Sequence, residues 1–122
     1  MNIRFPYGKT HFSYDFDEVN VLTSSIEEYD PQMSEQALVE AAMAAPEGGV
    51  SLRELACGKD KIVLIASDHT RPVPSKLIVP PMLREIREGN PNADITILVS
   101  TGCHRETTRD ELIAKFGEEI VR

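Results

Sequence analysis

The stretch "SDHTRPVPS", residues 67–75, sets a carboxylate, an imidazole, a hydroxyl and a guanidinium side by side as Asp68, His69, Thr70 and Arg71. Such a set can hold a small anion through the guanidinium and move a proton through the imidazole, whose unperturbed pKa is about 6.5. Pro72 and Pro74 follow at once, each fixing its own φ and pushing the preceding residue toward extended geometry. The cluster is therefore expected on a stiff loop. A second polar stretch, "TGCHRETT" at 101–108, adds His104 and Arg105 behind Gly102, a residue that lets a ligand approach the backbone closely. This stretch also reads as an anion nest, with amide donors offered by a helix starting near Thr108.

Each of these residues has a plainer use. Arg71 alone is an ordinary surface ion-pair partner, Asp68 after a strand is an ordinary turn acceptor, and the two can simply pair and stiffen the loop. His104 alone is an ordinary loop histidine, and His11 is expected to face solvent from a strand. What favours chemistry is the density of the tetrad, the prolines that hold it, and a His104 expected to sit opposite. Asp68, His69 and His104 are metal-ligand types, yet their spacing matches no known metal site, and no residue is assigned to a metal. The GxGxxG, GxxxxGK[ST], HExxH and GxSxG patterns are missing. The residues by themselves point to a small anionic ligand beside a histidine acid-base, with the reaction left open.

The elements that must position these loops can be read around them. Residues 2–23 alternate as short strands, "IRFPYG", "THFSYDF" and "VNVLTS", which predicts a small β-meander. "SEQALVEAAMAA" has helical spacing, with Ser34 or Asp30 as candidate caps, and stops at Pro46-Glu47-Gly48-Gly49. Ser51 and Glu54 form a capping box before Gly58. "KIVLIA" and "ADITILVS" are continuous apolar runs, as expected of parallel strands covered on both faces. Between them "SKLIVPPMLREIREGN" carries Leu77, Ile78, Met82, Leu83 and Ile86 on one side, and Pro80 and Pro81 are expected to confine the regular helix to the residues after them. Thr108 and Glu111 make a further capping box, opening "RDELIAKFG" with Gly117 as its stop. The fold class is therefore α/β: a β-meander, then βαβα with parallel buried strands, part of a Rossmann-like open sheet. A right-handed crossover sets the two strands side by side, so both polar loops leave from neighbouring carboxyl ends, where open α/β sheets bind ligands. Asp68, His69, Thr70, Arg71, His104 and Arg105 are then expected to face one crevice.

Composition narrows the partners. With 122 residues and 41% hydrophobic content the chain suits one compact domain with a real core. A net charge of −7, with basic residues scattered among acids, argues against nucleic acid and against an anionic membrane surface. No segment has the roughly 20 apolar residues of a membrane helix, and "MNIRFPYGKT" lacks the apolar core of a signal peptide, so a cytoplasmic protein is expected. Cys57 and Cys103 form no CxxC pair and are expected to be small, buried, reduced side chains.

The two loops and their strand contexts resemble the N-terminal domain of the nickel-dependent lactate racemase family. The resemblance rests on "SDHTRPVPS", "DITILVSTGCHRETT" and "DELIAKFGEEIV", with "GGVSLRELACGKDKIVLIA" as lead-in, and covers most of residues 35–122. It implies a racemase or epimerase of a 2-hydroxy acid such as lactate, with a hydride passing to a nickel-pincer nucleotide and histidines exchanging the hydroxyl proton. Position by position, it implies that His104 is the first acid-base histidine. Asp68, His69, Thr70 and Arg71 then form the loop that touches the cofactor, and Arg71 also holds the substrate carboxylate. Arg105 would add positive charge, while Cys103 falls at a variable position. Family members are much longer, and the second acid-base histidine, the cofactor-bearing lysine and the nickel-binding histidine lie beyond the counterpart of Arg122. These residues are therefore expected to be the N-terminal domain of a larger two-domain racemase, and the terminal arginine suggests a proteolytic or designed fragment. Alone, the fragment is expected to be inactive and without cofactor, its partners being the C-terminal domain and a 2-hydroxy acid. The alternative from another class is a non-catalytic module that binds a small carboxylate or phosphate through the same loops.

Overall fold

The computed structural model describes residues 1–18, 20–22 and 24–122. They group into two compact units, Met1–Asp30 and Pro31–Arg122.

In the first unit, β1 (Asn2–Tyr7) and β2 (Thr10–Asp15) pair antiparallel with Phe5 opposite Phe12. Gly8, at φ 57, makes the turn in the left-handed region that a side chain resists. The rings of Phe5 and Phe12 stack with centroids 5.1 Å apart, a cross-strand pair that sets the register. Among the described residues the unit is a hairpin rather than a meander. Of the expected third strand "VNVLTS", Val19 and Thr23 lie outside the described residues, and Asn20, Val21, Leu22 and Ser24 form no strand. Val21 is 42% and Leu22 98% exposed, so neither has the burial that would hold it in a ladder.

The second unit runs α1 (Glu35–Ala44), α2 (Leu52–Ala56), β3 (Lys61–Ser67), α3 (Ser75–Gly89), β4 (Asp94–Ser100) and α4 (Arg109–Phe116). Local chemistry starts the helices as expected. Ser34, not Asp30, caps α1 through Ala37 N, and Ser51 with Glu54 closes a reciprocal capping box on α2. Strands β3 and β4 are parallel neighbours, paired from Lys61 with Asp94 to Ser67 with Ser100.

Two expectations about this unit are corrected. Helix α3 runs through Pro80 and Pro81 instead of beginning after them. Its first turn is complete before the prolines, because the Pro74 carbonyl accepts from Leu77 N and Ile78 N at 2.9 and 3.2 Å. Each proline's φ is already near helical values, so the cost is confined to the missing N–H groups and local crowding. Against that stands a well-buried stripe, with Val79 at 7% and Ile86 at 2% exposure. The sheet, in turn, is open on one face: Val63 is 56%, Ile65 74% and Leu98 52% exposed, while alternate residues of both strands are half-buried. A continuous apolar run reports what both faces of a strand finally meet, and within this unit only one face is covered.

The core lies between α2, α3 and α4, where Ala56, Val79, Ile86, Ala93 and Phe116 are buried. Helices α2 and α3 approach so closely that a Cβ on Gly89 would lie 2.1 Å from the Arg53 carbonyl oxygen. Ile86→Ala removes a fully buried side chain from this centre and is expected to cost about 2–5 kcal/mol, read as a lower midpoint in urea denaturation.

Candidate active site

Because Ser67 and Ser100 are register partners at the ends of parallel strands, the two loops begin side by side. The first thing they build is a carboxylate–imidazole pair. The Asp68 side chain is 2% exposed, and its Oδ2 accepts from His104 Nδ1 at 2.6 Å. Its Oδ1 accepts from the Thr70 hydroxyl at 2.7 Å and from Thr70 N at 3.1 Å, while Arg71 N donates to the Asp68 carbonyl at 3.3 Å. The residue after the strand is thus wound into a tight turn around its own carboxylate. The Thr70 hydroxyl bond first, and His104 with it, hold the Asp68 carboxyl down at about 2 against the upward push of burial. An ionised carboxylate only accepts, so His104 carries its hydrogen on Nδ1, and Nε2 is the ring atom left to take up or give back a proton.

The pair opens onto a cleft of about 400 Å³ lined by Asp68, Arg71, Thr101, Gly102 and His104. Gly102 sits at φ 59, and a Cβ there would meet nothing within 4 Å, so the cleft passes directly over the backbone. Ser67 Oγ, beside the cleft, is a buried polar atom with no hydrogen-bond partner among the described residues. The Arg71 guanidinium has no ion-pair partner among them either. Asp68 takes Thr70 and His104 instead, which removes the simple Asp68–Arg71 pair as the explanation of the loop. Lys115 Nζ donates to the Arg71 carbonyl at 3.1 Å and ties the loop to α4.

The crevice does not gather all the residues expected in it. His69 does not line this cleft: its Nδ1 is 3.2 Å from Thr107 Oγ1 and its Nε2 3.7 Å from Glu111 Oε1. Arg105 leaves as well, forming a fork onto Glu111 at 2.6 and 2.9 Å. The cause is local geometry: the turn at Asp68–Arg71 sends neighbouring side chains different ways, and the Glu111 carboxylate takes the Arg105 fork and lies beside the His69 ring. Arg105 and the Thr108 cap hold the Glu111 carboxyl far below the usual carboxylate range. The anion-nest expectation is corrected in part, since Thr108 N donates to Glu111 Oε2 at 2.9 Å and the start of α4 is occupied by its own capping box.

Among the described residues no group of three or more metal-ligating side chains comes together: Asp68 and His104 bond each other, and His69 Nδ1 meets Thr107. Cys57 and Cys103 are both exposed thiols, correcting their expected burial. His11 is exposed on β2, as expected, 3.2 Å from Arg4 Nη2. No helix among the described residues is long and apolar enough to cross a membrane. Thr107, buried at 7% exposure, and the second role of Glu111 escaped sequence reasoning; the capping-box spacing of Glu111 was its visible signal.

Fold and site together define an α/β domain that presents an oriented histidine, and an arginine with no ion-pair partner among the described residues, at the carboxyl ends of two parallel strands. Residues 7–122 match the family described as lactate racemase N-terminal domain, and the chain belongs to that family. The match reaches further toward the N-terminus than the motifs do. A lactate racemase from Thermoanaerobacterium thermosaccharolyticum is 46% identical over 98% of this chain, and one from Lactiplantibacillus plantarum is 47% identical over 98%. The solved lactate racemase apoprotein from T. thermosaccharolyticum superposes with a TM-score of 0.78, at 44% identity over all of this chain. The chain spans 29% of the length of both curated relatives and 28% of that structure.

Proposed function

We propose that this chain is the first domain of a larger two-domain racemase or epimerase of a 2-hydroxy acid such as lactate, with His104 as one of its acid-base groups. The observation that supports this best is the 2.6 Å bond from His104 Nδ1 to a buried Asp68, which leaves Nε2 unengaged by Asp68 on a residue that lines an open cleft. Arg71 reaches the same cleft and suits a substrate carboxylate, which its planar fork binds in two places. Held there, the substrate hydroxyl gives its proton to His104 Nε2 and later recovers it, while Asp68 keeps the imidazole in one tautomer and steadies its charged form. The related chains named above are lactate racemases, which supports the substrate class.

The residues lining the cleft also fit a nickel-pincer nucleotide. The group is anionic, Arg71 has no ion-pair partner and Ser67 Oγ no hydrogen-bond partner among the described residues, and Gly102 leaves the backbone open to a flat ligand. Arg71 and the Thr70–Arg71 turn, braced by Asp68, would contact it, while His69, which does not line this cleft, is tied to Thr107. Such a cofactor, when bound, would supply a hydride acceptor and donor, so that the carbon beside the carboxylate would not have to lose a bare proton. The C-terminal domain of the same protein would supply the other wall, and residues 1–122 alone would be inactive.

The test is to produce the full-length protein together with cofactor-making enzymes and nickel, then follow D- and L-lactate. Interconversion of the two enantiomers by a nickel-containing protein is the expected result. Carboxylate binding without nickel and without interconversion would instead support a small-anion binding module.

A further inference from the structure

We propose that His69 and Glu111 form a latch behind the cleft that sets the position of His104, making them positioning residues and not ligand contacts. The inference rests on the acid-base reading of His104 given above. The dipeptide Asp68–His69 grips the second loop from both sides. In front, Asp68 holds His104 itself. Behind, His69 Nδ1 meets the hydroxyl of Thr107, three positions further along that loop, and its Nε2 lies 3.7 Å from Glu111. Glu111 in turn takes Arg105, the immediate neighbour of His104, in a two-point fork. His104 N donates to the Thr101 carbonyl at 3.0 Å. The catalytic histidine is thereby tied on each flank, and Glu111 is the group on which the rear ties converge.

A purely structural use of Glu111 would need less. Capping occupies Oε2, which accepts from Thr108 N and Thr108 Oγ1 at 2.9 and 3.1 Å. Oε1 is not needed for the cap, yet it carries the shorter Arg105 bond, at 2.6 Å, and faces His69. The latch is also sheltered, since the side chains of His69 and Glu111 are only 20% and 28% exposed and Thr107 is buried. Partial burial lets such contacts specify geometry, where a fully solvated pair would be screened.

Two variants separate the cap from the latch. Glutamine serves in a capping box as well as glutamate, so Glu111→Gln keeps the start of α4 while discarding the carboxylate that takes the Arg105 fork and faces His69. His69→Gln leaves the cap untouched and carries the test should Glu111→Gln not fold. In the full-length, nickel-loaded protein each is expected to lower kcat by roughly 10- to 100-fold, with KM and nickel content changed by less than about threefold, because a small displacement of the reacting group acts on the transition state. The double variant is expected to be no worse than the poorer single one, as two residues in one network are not additive. A second readout does not involve turnover: histidine-selective 15N labelling of the full-length apoprotein, with the His104 signal assigned from His104→Gln. Both latch variants are expected to weaken the protected Nδ1–H resonance that His104 shares with Asp68. An unchanged resonance in His69→Gln, or a loss of activity that only tracks the loss of folded protein, overturns the latch. If the wild-type protein racemises nothing, the proposed function fails, and the resonance still decides the latch.

Discussion

On the proposed function, exchanging His104 for glutamine in the full-length, nickel-loaded protein is expected to lower the racemisation kcat by about 10³-fold, within the range that a lost general acid-base accounts for. Glutamine still has an N–H to offer the Asp68 carboxylate, which His104 Nδ1 occupies at 2.6 Å, so the loop keeps its front tie. What it lacks is an atom that takes up a proton at neutral pH. The substitution therefore removes the exchange of the hydroxyl proton and little else. Nickel content and substrate binding are expected to stay near wild type, because Arg71 and the Asp68–Thr70 turn are not touched. His104→Ala makes the complementary case: it empties the imidazole's place beside an open cleft of about 400 Å³, and added imidazole is expected to restore part of the rate. A His104→Gln protein that retains kcat within about threefold would remove this histidine from the chemistry, since no acid-base role is worth so little.

How much of this was legible in the sequence depended on how local the cause was. Ser51 with Glu54 and Thr108 with Glu111 could be read as capping boxes because every atom involved lies within four residues. The strand ends bearing Asp68 and Thr101 followed from two apolar runs and one crossover, and the structure pairs them as neighbours. The side to which each loop residue turns was not legible. His69 and Arg105 went to Glu111, which lies 42 positions beyond the first and six beyond the second, and only the folded loop brings the three together. Reading Glu111 as a cap used one of its oxygens and left the other unexplained. The prolines of α3 misled for a different reason. Pro80 and Pro81 weigh against a helix through local geometry, whereas the burial of Val79 and Ile86 that outweighs them is tertiary. Exposure of Val63, Ile65 and Leu98 was illegible because an apolar strand declares what its faces require, not what a given stretch of chain supplies.

Asp68→Asn is expected to be nearly as damaging as losing His104, although asparagine has the same shape. Its carbonyl can still accept from Thr70, so the turn survives. Its amide, however, brings a donor toward Nδ1, where the carboxylate Oδ2 had been an acceptor. The imidazole then settles with Nδ1 accepting and the hydrogen on Nε2, which is the wrong tautomer for taking a proton from the substrate. The expected loss in kcat is about 10²- to 10⁴-fold, the range for an orientation partner that sets a tautomer. The acid side gives an independent check. The Asp68 carboxyl sits at about 2 in the fold, below the value of about 4 for an unfolded aspartate, so in that interval the unfolded chain binds more protons. Its contribution to stability is therefore complete above about pH 4 and is lost as pH falls toward 2. The wild-type denaturation midpoint should drop across this window, and the asparagine variant, with no proton to bind at residue 68, should drop less steeply. Equal slopes would mean that Asp68 is not the ionised partner of His104, and the tautomer argument would lose its basis.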